Sequence, residues 1–511
     1  MVKAPQDQAV SLTVVRGIRN AMARTPHKDA LRHREARRTY SELVQRIDQV
    51  TNAGLSVSKL QPGERALIIA KNCIEFVEAV CGLGEAGVTV ATITPRVTSK
   101  ELEAICRDAN ARIVFTDPET LELVRSASLQ SVDRVITFGP EYEAWLQEGV
   151  EVARPVIDER DPWVMGYTSG TTGEPKGVLL SHRSRVLMIL ASAAEFGCFS
   201  ADDRYLALTP LNHGGALVRI MGALFSGGYV EIVDKFDALS VMQTLSAGQF
   251  TSTAMVPTHF HAILSLTPQE LEPYREFRLR AILSHGAPLP QSMKARIVAC
   301  FGSNVLYETY GSTEGGIVTC IHPCDQLRKD GSVGVPFLNT EVRILDENGQ
   351  ECAPGHVGEL FSRSPHLFNG YWNKPQQTRE ALQDGWVTVG DLAKRDEEGY
   401  LYIVGRKKDM IISGALNIYP REIEDLLLSH PDIAEVAVVG VADEKWGQRV
   451  RAVIVPRKSR ALSAAEIVAF CQGKIASHKI PKDIVFAAFL PRNALGKVVK
   501  AVLEKPGTHG D

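Results

Sequence analysis

The stretch Tyr167-Thr-Ser-Gly-Thr-Thr-Gly-Glu-Pro-Lys-Gly-Val178 constrains this chain more than any other. Thr168, Ser169, Thr171 and Thr172 sit among Gly170, Gly173 and Gly177, and Lys176 lies near the end of the run. Glycines let a backbone approach an anion closely and present its N–H groups. The hydroxyls add donors, and Lys176 adds a full positive charge. Together they describe a loop built to hold polyphosphate. It is not a Walker-type P-loop, because the spacing is Gly170-x-x-Gly173-x-x-Lys176 and Lys176 is followed by Gly177 rather than Ser or Thr. A polar hairpin is the competing reading, since the same residue types favour turns. The loop follows an apolar run at 163–166 and precedes Ser181, a suitable N-cap for a helix through Ala191. A strand–loop–helix unit is therefore expected, the place where layered α/β folds bind nucleotides.

A chain of 511 residues is too long for one ordinary domain and predicts two to four. Its formal net charge of -3 excludes a typical nucleic-acid binder, which carries a basic excess or stripe. No apolar run reaches the length a membrane helix needs. The N-terminal MVKAPQDQAV lacks the apolar segment of a secretory signal. Nine scattered cysteines, several in apolar company (Cys73, Cys81, Cys471), fit buried thiols in a reducing compartment, so a cytoplasmic location is expected. Cys320-Ile-His322-Pro-Cys324 offers three donors, but its spacing matches no standard zinc pattern and no fourth ligand lies nearby in sequence.

Up to about residue 150 helix and strand signals alternate. Thr39-x-x-Glu42 is a capping box that opens a helix with Leu43, Ile47 and Val50 on one face. Strands are predicted at 66–70, 88–93 and 113–115, with helices at 76–86 and 100–108, which implies a parallel or mixed sheet covered on both faces. The alternation resumes from 229 to 284. Residues 333–404 read as short strands among Gly, Pro and Asn turns, a β-rich subdomain. After Gly405 a small α+β unit follows, with Ser463-x-x-Glu466 capping one of its helices. The expected organisation is a large α/β N-terminal domain at 1–405, a hinge at 406–408 and a small mobile α+β domain at 409–511.

Downstream of the glycine-rich loop come YGSTEGG (310–316), VGDL (389–392), GRKKDMIISGALNIYPREIE (405–424) and NALGKVVK (493–500). With these motifs in this order the chain resembles the adenylate-forming superfamily, which includes acyl- and aryl-CoA synthetases, firefly luciferase and nonribosomal adenylation domains. The resemblance implies a two-step reaction. A carboxylate attacks the α-phosphate of ATP, giving an acyl-adenylate and pyrophosphate; a thiol, usually that of coenzyme A, then attacks the acyl carbon and releases AMP. Two anions must meet in the first step, so cations have to offset their repulsion.

The resemblance also implies roles. Thr168, Ser169, Gly170, Thr171, Thr172, Gly173 and Lys176 embrace the β- and γ-phosphates, and Glu314 holds Mg²⁺. Thr313 contacts the α-phosphate within Thr309-Tyr310-Gly311-Ser312-Thr313, while Tyr310 stacks on adenine beside Gly286-Ala287-Pro288. Asp391 binds the ribose hydroxyls with help from Arg406. Lys497 reaches carboxylate and α-phosphate during adenylation, and Lys408 is the hinge about which the small domain turns between half-reactions. Coenzyme A contacts fall on Arg96, Gly414, Ala415 and Trp446.

Two departures from the family pattern bear on chemistry. Ser413-Gly414-Ala415 stands where two glycines are usual, which directs attention to an acceptor other than coenzyme A: a carrier-protein thiol, an amine or another nucleophile. Glu308 replaces a common Asn before Thr309-Tyr310, and either favours a substrate with an amino group or points away. The acid pocket is expected from His213, Arg219, His259, Ser284, Thr309, Gly311 and Gly316. Arg219 is unusual among Leu217, Val218, Ile220 and Met221. Facing inward, it implies a second anionic or polar group on the substrate; facing outward, it is an ordinary surface arginine. The leading expectation is an ATP-dependent acid–CoA ligase for an aryl or medium-sized acyl carboxylate, monomeric or homodimeric. The alternatives are an adenylating enzyme with another acceptor, and a non-catalytic nucleotide binder, which the presence of Lys176, Glu314, Asp391 and Lys497 disfavours.

Overall fold

The computed structural model describes residues 11–169, 175–274, 276–414, 416–457, 462–492 and 497–505. Gly170, Thr171, Thr172 and Gly173 of the glycine-rich loop, and Ala415, lie outside the described residues, as do the side-chain surroundings of Ser169.

The chain divides into two compact units: Met1–Val342 with Ser362–Val387, and Arg343–Phe361 with Thr388–Asp511. This division differs from the boundary expected at 405/406, because 343–361 and the strands after 388 group with the C-terminal residues.

Among the described residues the first unit holds two large sheets. In one, Pro162–Ser169, Thr89–Ile93, Arg65–Ile69, Ala111–Thr116 and Arg134–Thr137 run parallel, and Pro175–Ser181 and Gly370–Tyr371 extend that edge antiparallel. The central strands are buried along nearly their whole length, as parallel strands covered on both faces require. The other sheet is parallel from Leu306–Ser312 through Ala281–Ser284, Ser252–Met255, Arg204–Ala207 and Tyr229–Ile232 to Asp29–His33, with antiparallel strands at both edges. Helices Tyr40–Ser56, Ile74–Glu85, His182–Phe196 and Gly214–Ser226 share one apolar core with residues of both sheets, among them Val50, Val80, Ile189, Met221, Val164 and Val230. The Thr39–Glu42 capping box forms as expected, with each side chain bonded to the other's backbone N–H.

The second unit has its own core, built from Ile411, Ile423, Leu427, Val438, Val450 and Ile467 among others. Strand Gly447–Pro456 lies centrally, antiparallel to Ile433–Asp443 and parallel to Asp483–Phe486. Ser463 and Glu466 cap the helix Ala464–Cys471 reciprocally. Strands Asp391–Arg395 and Leu401–Arg406 form an antiparallel pair, and Gly358 and Glu359 continue the ladder.

The glycine-rich loop corrects the sequence reading. It joins two antiparallel strands, with Tyr167 opposite Gly177, Thr168 opposite Lys176 and Ser169 opposite Pro175. It does not lead from strand to helix; the helix begins only after Ser181, whose hydroxyl accepts from the Ser184 N–H as an N-cap. A hairpin places Thr168 and Lys176 directly across from each other at the base of the turn, which a strand–helix loop would not do.

Candidate active site

The hairpin is anchored at its base. The Tyr167 hydroxyl donates to Asp108 Oδ2 at 2.7 Å, and Trp372 Nε1 donates to the Asp108 carbonyl at 2.9 Å. Burial and the neighbouring Asp108 raise the Tyr167 pKa, so this phenol stays a donor. The edge strand Gly370–Tyr371 then sets an aromatic ring beside the lysine: Lys176 Nζ lies 5.3 Å from the Tyr371 ring centroid. The Tyr371 hydroxyl donates to Glu314 Oε1 at 2.8 Å, and the Phe368 N–H holds the Glu314 carbonyl at 2.9 Å. Burial and the Glu314 charge push the Tyr371 pKa up. Lys176, Tyr371 and Glu314 thus form a row beside the hairpin, although they come from three separate stretches of chain.

Thr313 is brought to the same place: a Cβ added at Gly166 would lie 3.2 Å from its methyl group. Gly311 has no room for a side chain, since a Cβ there would meet the Gly316 carbonyl oxygen at 2.0 Å. That close approach closes the 306–312 and 316–321 hairpin around Ser312–Gly315, where the Gly315 N–H donates to Ser312 Oγ at 2.8 Å. Glu314 supplies hard oxygen, and Thr168 on the hairpin a hydroxyl, the donor chemistry Mg²⁺ prefers.

Behind strand Ala281–Ser284, Gly286-Ala287-Pro288 forms an exposed turn with Gly286 at φ +89°. Glu308 lies beneath this turn. Its carboxylate pairs with Lys294 Nζ at 2.6 Å and accepts from the Leu289 N–H at 3.2 Å, with both charged side chains almost wholly buried. Of the two readings left open for Glu308, the structure therefore gives the second: the carboxylate is committed to Lys294 and props the turn. Thr309 Oγ1 donates to the Ser284 carbonyl at 3.3 Å, tying the two strands together, and Tyr310 follows it half-buried.

His213 precedes helix Gly214–Ser226 and is exposed. Arg219 on that helix is buried, 6 % exposed, and Nη1 lies 3.1 Å from His285 Nε2. His259 stacks on Phe236 with centroids 4.1 Å apart, and burial lowers its pKa to about 4. Ser284 is fully buried, and among the described residues its Oγ has no hydrogen-bond partner. His285 shows a lowered pKa, caused first by burial and then by the positive charge of Arg219, with His213 and His259 adding to it. The expected pocket residues His213, Arg219 and His259 thus all act on one imidazole that was not singled out from sequence.

In the second unit, Asp391 and Arg406 are register partners on adjacent strands, and Arg406 Nε donates to Asp391 Oδ1 at 3.0 Å. Lys407 is tied to Glu359 at 2.8 Å, whereas the neighbouring Lys408 is exposed and has no ion-pair partner among the described residues. Lys497 is exposed, one residue before the isolated bridge between Arg492 and Val498. Gly414 and Trp446 meet: the Gly414 N–H donates to the Trp446 carbonyl at 2.9 Å, and φ is +58°. A Cβ at 414 would lie 2.6 Å from the indole ring. Lys482 and Lys445 place their ammonium groups 4.6 and 5.0 Å from the Trp446 ring centroid, cations that sequence spacing did not bring to notice. Arg96 is an exposed residue after strand Thr89–Ile93 in the first unit.

The Cys320–His322 segment gains a donor from outside its own sequence: His322 Nε2 sits 2.9 Å from Glu195 Oε1, with buried Cys320 close by. Cys324 is exposed and does not join this cluster.

The family profile described as AMP-binding enzyme matches residues 18–372, and that of the AMP-binding enzyme C-terminal domain matches 422–497. Indoleacetate–CoA ligase of Aromatoleum aromaticum is 35% identical over 93% of this chain and 94% of its own length. A 2-succinylbenzoate–CoA ligase of Bacillus cereus is 33% identical over 94% and 96%. Among solved structures, ATP-bound MatB from Rhodopseudomonas palustris superposes with a TM-score of 0.88 at 29% identity, covering 97% of this chain and 98% of its own. The o-succinylbenzoate coenzyme A synthetase MenE of Bacillus subtilis, solved with ATP and magnesium ion, gives 0.84 at 27%, covering 96% and 99%. The chain belongs to the AMP-binding enzyme family. Within it, the protein is an AMP-forming acid–CoA ligase, with ATP and coenzyme A as co-substrates beside the acid and Mg²⁺ as cofactor. Among the described residues no helix is long and apolar enough to cross a membrane.

Proposed function

We propose that the row Lys176–Tyr371–Glu314 beside the 162–181 hairpin is the triphosphate and Mg²⁺ site of this ligase. The observation that carries the reading is the hydrogen bond from Tyr371 to Glu314 with Lys176 over the same ring. Tyr371 occupies one carboxylate oxygen and fixes the other in direction, so Glu314 enters the reaction already oriented. Bound Mg²⁺ neutralises charge on the phosphates and makes pyrophosphate a better leaving group. Lys176 offsets the negative charge that otherwise repels the incoming carboxylate. Thr313 serves the α-phosphate, Tyr310 and the 286–288 turn take adenine, and Asp391 with Arg406 takes the ribose.

The acid is an aryl or medium-sized acyl carboxylate held between helix Gly214–Ser226 and the 284–288 segment. Lys497 serves adenylation. The small domain expected at 409–511 then turns about Lys408, and Gly414 with Trp446, flanked by Lys445 and Lys482, guides the pantetheine arm; Arg96 pairs with coenzyme A phosphate. Largely buried thiols accord with work in the cytoplasm, as a monomer or homodimer. The test is ATP–pyrophosphate exchange over a panel of aryl and aliphatic acids, followed by AMP release with and without coenzyme A. Acid-dependent exchange and coenzyme A-dependent turnover are expected. Exchange without any response to coenzyme A would return the acceptor to the alternatives raised by Ser413-Gly414-Ala415.

A further inference from the structure

Arg219, expected at the acid pocket, has no part in the ligase chemistry itself. Adenylation needs cations at the phosphates and at the reacting carboxylate, and Lys176 and Lys497 meet that need. Arg219 instead sits in an otherwise apolar helix between Val218 and Ile220, both buried. Its side chain leans back one turn, as helical side chains do. There Nη1 lies 3.2 Å from where a Cβ on Gly215 would be, so the glycine leaves the space the guanidinium occupies.

Among the described residues the guanidinium has one hydrogen-bond contact, His285 Nε2 at 3.1 Å. Arginine can only donate, so Nε2 accepts and the ring proton is on Nδ1. A neutral imidazole aims the guanidinium without compensating its charge. Among the described residues no carboxylate pairs with Arg219; the groups that act on its charge are Tyr205 and Cys198. The Tyr205 hydroxyl is itself buried with no partner, as is Ser284 Oγ next to His285. A buried cation without an anion is costly. His285 leads directly into the 286–288 turn, so the Arg219 charge is held beside the segment read above as one wall of the acid pocket.

We propose that Arg219, oriented by His285, binds a second anionic group of the acid, so that the preferred substrate is an aryl acid carrying two carboxylates. The inference rests on the reading of helix Gly214–Ser226 and the 284–288 segment as the acid pocket. The reacting carboxylate has to face the α-phosphate, so the group that meets Arg219 lies at the other end of the molecule. Ser284 and Tyr205 hydroxyls are at hand to complete its hydrogen bonding.

The test compares matched acids by pyrophosphate exchange: benzene-1,4-dicarboxylate with 4-methylbenzoate, benzene-1,3-dicarboxylate with 3-methylbenzoate, and 4-(carboxymethyl)benzoate with 4-ethylbenzoate. In at least one pair the dicarboxylate should show kcat/KM about 10- to 100-fold higher, mostly through KM, as expected of a charge-assisted contact. Arg219→Met should abolish that preference while leaving exchange with the methyl or ethyl partner within a few-fold, and Arg219→Lys should keep part of it. A wild-type enzyme that prefers the dicarboxylate in none of the three pairs overturns the proposal. So does an equal loss for both partners in Arg219→Met, which would mean that the residue holds the reacting carboxylate or only the fold. If Arg219→Met proves unstable in a melting experiment, the wild-type comparison and His285→Asn, which should weaken the same preference, decide. Exchange with the monocarboxylates alone sinks only the role of Arg219, whereas no exchange with any acid sinks the ligase reading as well.

Discussion

Lys294→Met tests whether Glu308 supports the nucleotide turn or reads the substrate. Lys294 and Glu308 are paired at 2.6 Å with side chains 2% and 7% exposed, so neither can turn to water when its partner is lost. Methionine keeps most of lysine's unbranched length and removes the ammonium with its charge and donors, leaving the Glu308 carboxylate uncompensated. Breaking one side of a buried ion pair costs about 3–5 kcal/mol. For a cooperative unit of roughly 370 residues the unfolding entropy scales to about 0.8 kcal/mol/K, so Tm should fall by about 4–6 °C. Replacing both partners, Lys294→Met with Glu308→Leu, removes the buried charge altogether and should regain most of that loss. Differential scanning calorimetry gives the Tm values, and exchange kinetics give KM for ATP. The single variant should raise KM for ATP several-fold, because the Leu289 N–H contact that props the 286–288 turn is disturbed, and should leave the ranking of acids unchanged. A double variant no more stable than the single, or a single variant with an altered acid ranking and an unchanged Tm, would refute the reasoning.

Tyr371→Phe removes the hydroxyl that orients Glu314 and should raise the Mg²⁺ concentration for half-maximal exchange by about 3- to 10-fold, the worth of one net hydrogen bond; an unchanged Mg²⁺ dependence would contradict the role given to it. Gly414→Ala forces a side chain onto a φ of +58° and into the Trp446 ring, so coenzyme A-dependent turnover should fall at least tenfold while pyrophosphate exchange holds. His182 and His366 are buried in neutral form, with burial lowering each pKa to about 4. The unfolded chain binds the extra protons first, so stability should decline as pH falls through the window from about 6.5 to about 4. His182→Gln should flatten that decline in a Tm-against-pH series, and an identical profile would remove His182 as a cause.

How much of this was legible in the sequence depends on how far apart the partners lie along the chain. The capping boxes at Thr39 and Ser463 are local and formed as read. The order of the motifs gave the family because each motif carries its own chemistry. The hairpin stood only as the competing reading because Ser181 as an N-cap drew the helix toward the glycine-rich loop, while strand Pro175–Ser181 pairs with Gly370–Tyr371, far downstream. Tyr371 was not singled out for the same reason: nothing in Gly370-Tyr371-Trp372 signals an approach to Glu314. Glu308 looked like a free carboxylate because its partner, Lys294, sits on a helix whose buried face the sequence pattern does not mark. Arg219 was visible as an oddity in an apolar helix, but its partner His285 is set by the pairing of strands and not by spacing.

If the hairpin site adenylates the acid with Lys497 and thiolysis uses other residues, the two half-reactions separate when this lysine is lost. The most direct measurement pairs two assays on Lys497→Ala: acid-dependent pyrophosphate exchange, and thioester formation from a supplied acyl-adenylate and coenzyme A. Exchange should fall by about 100-fold or more, the scale of one preorganised charge in a transition state, with thioester formation within a few-fold of wild type. Equal loss of both would contradict this separation.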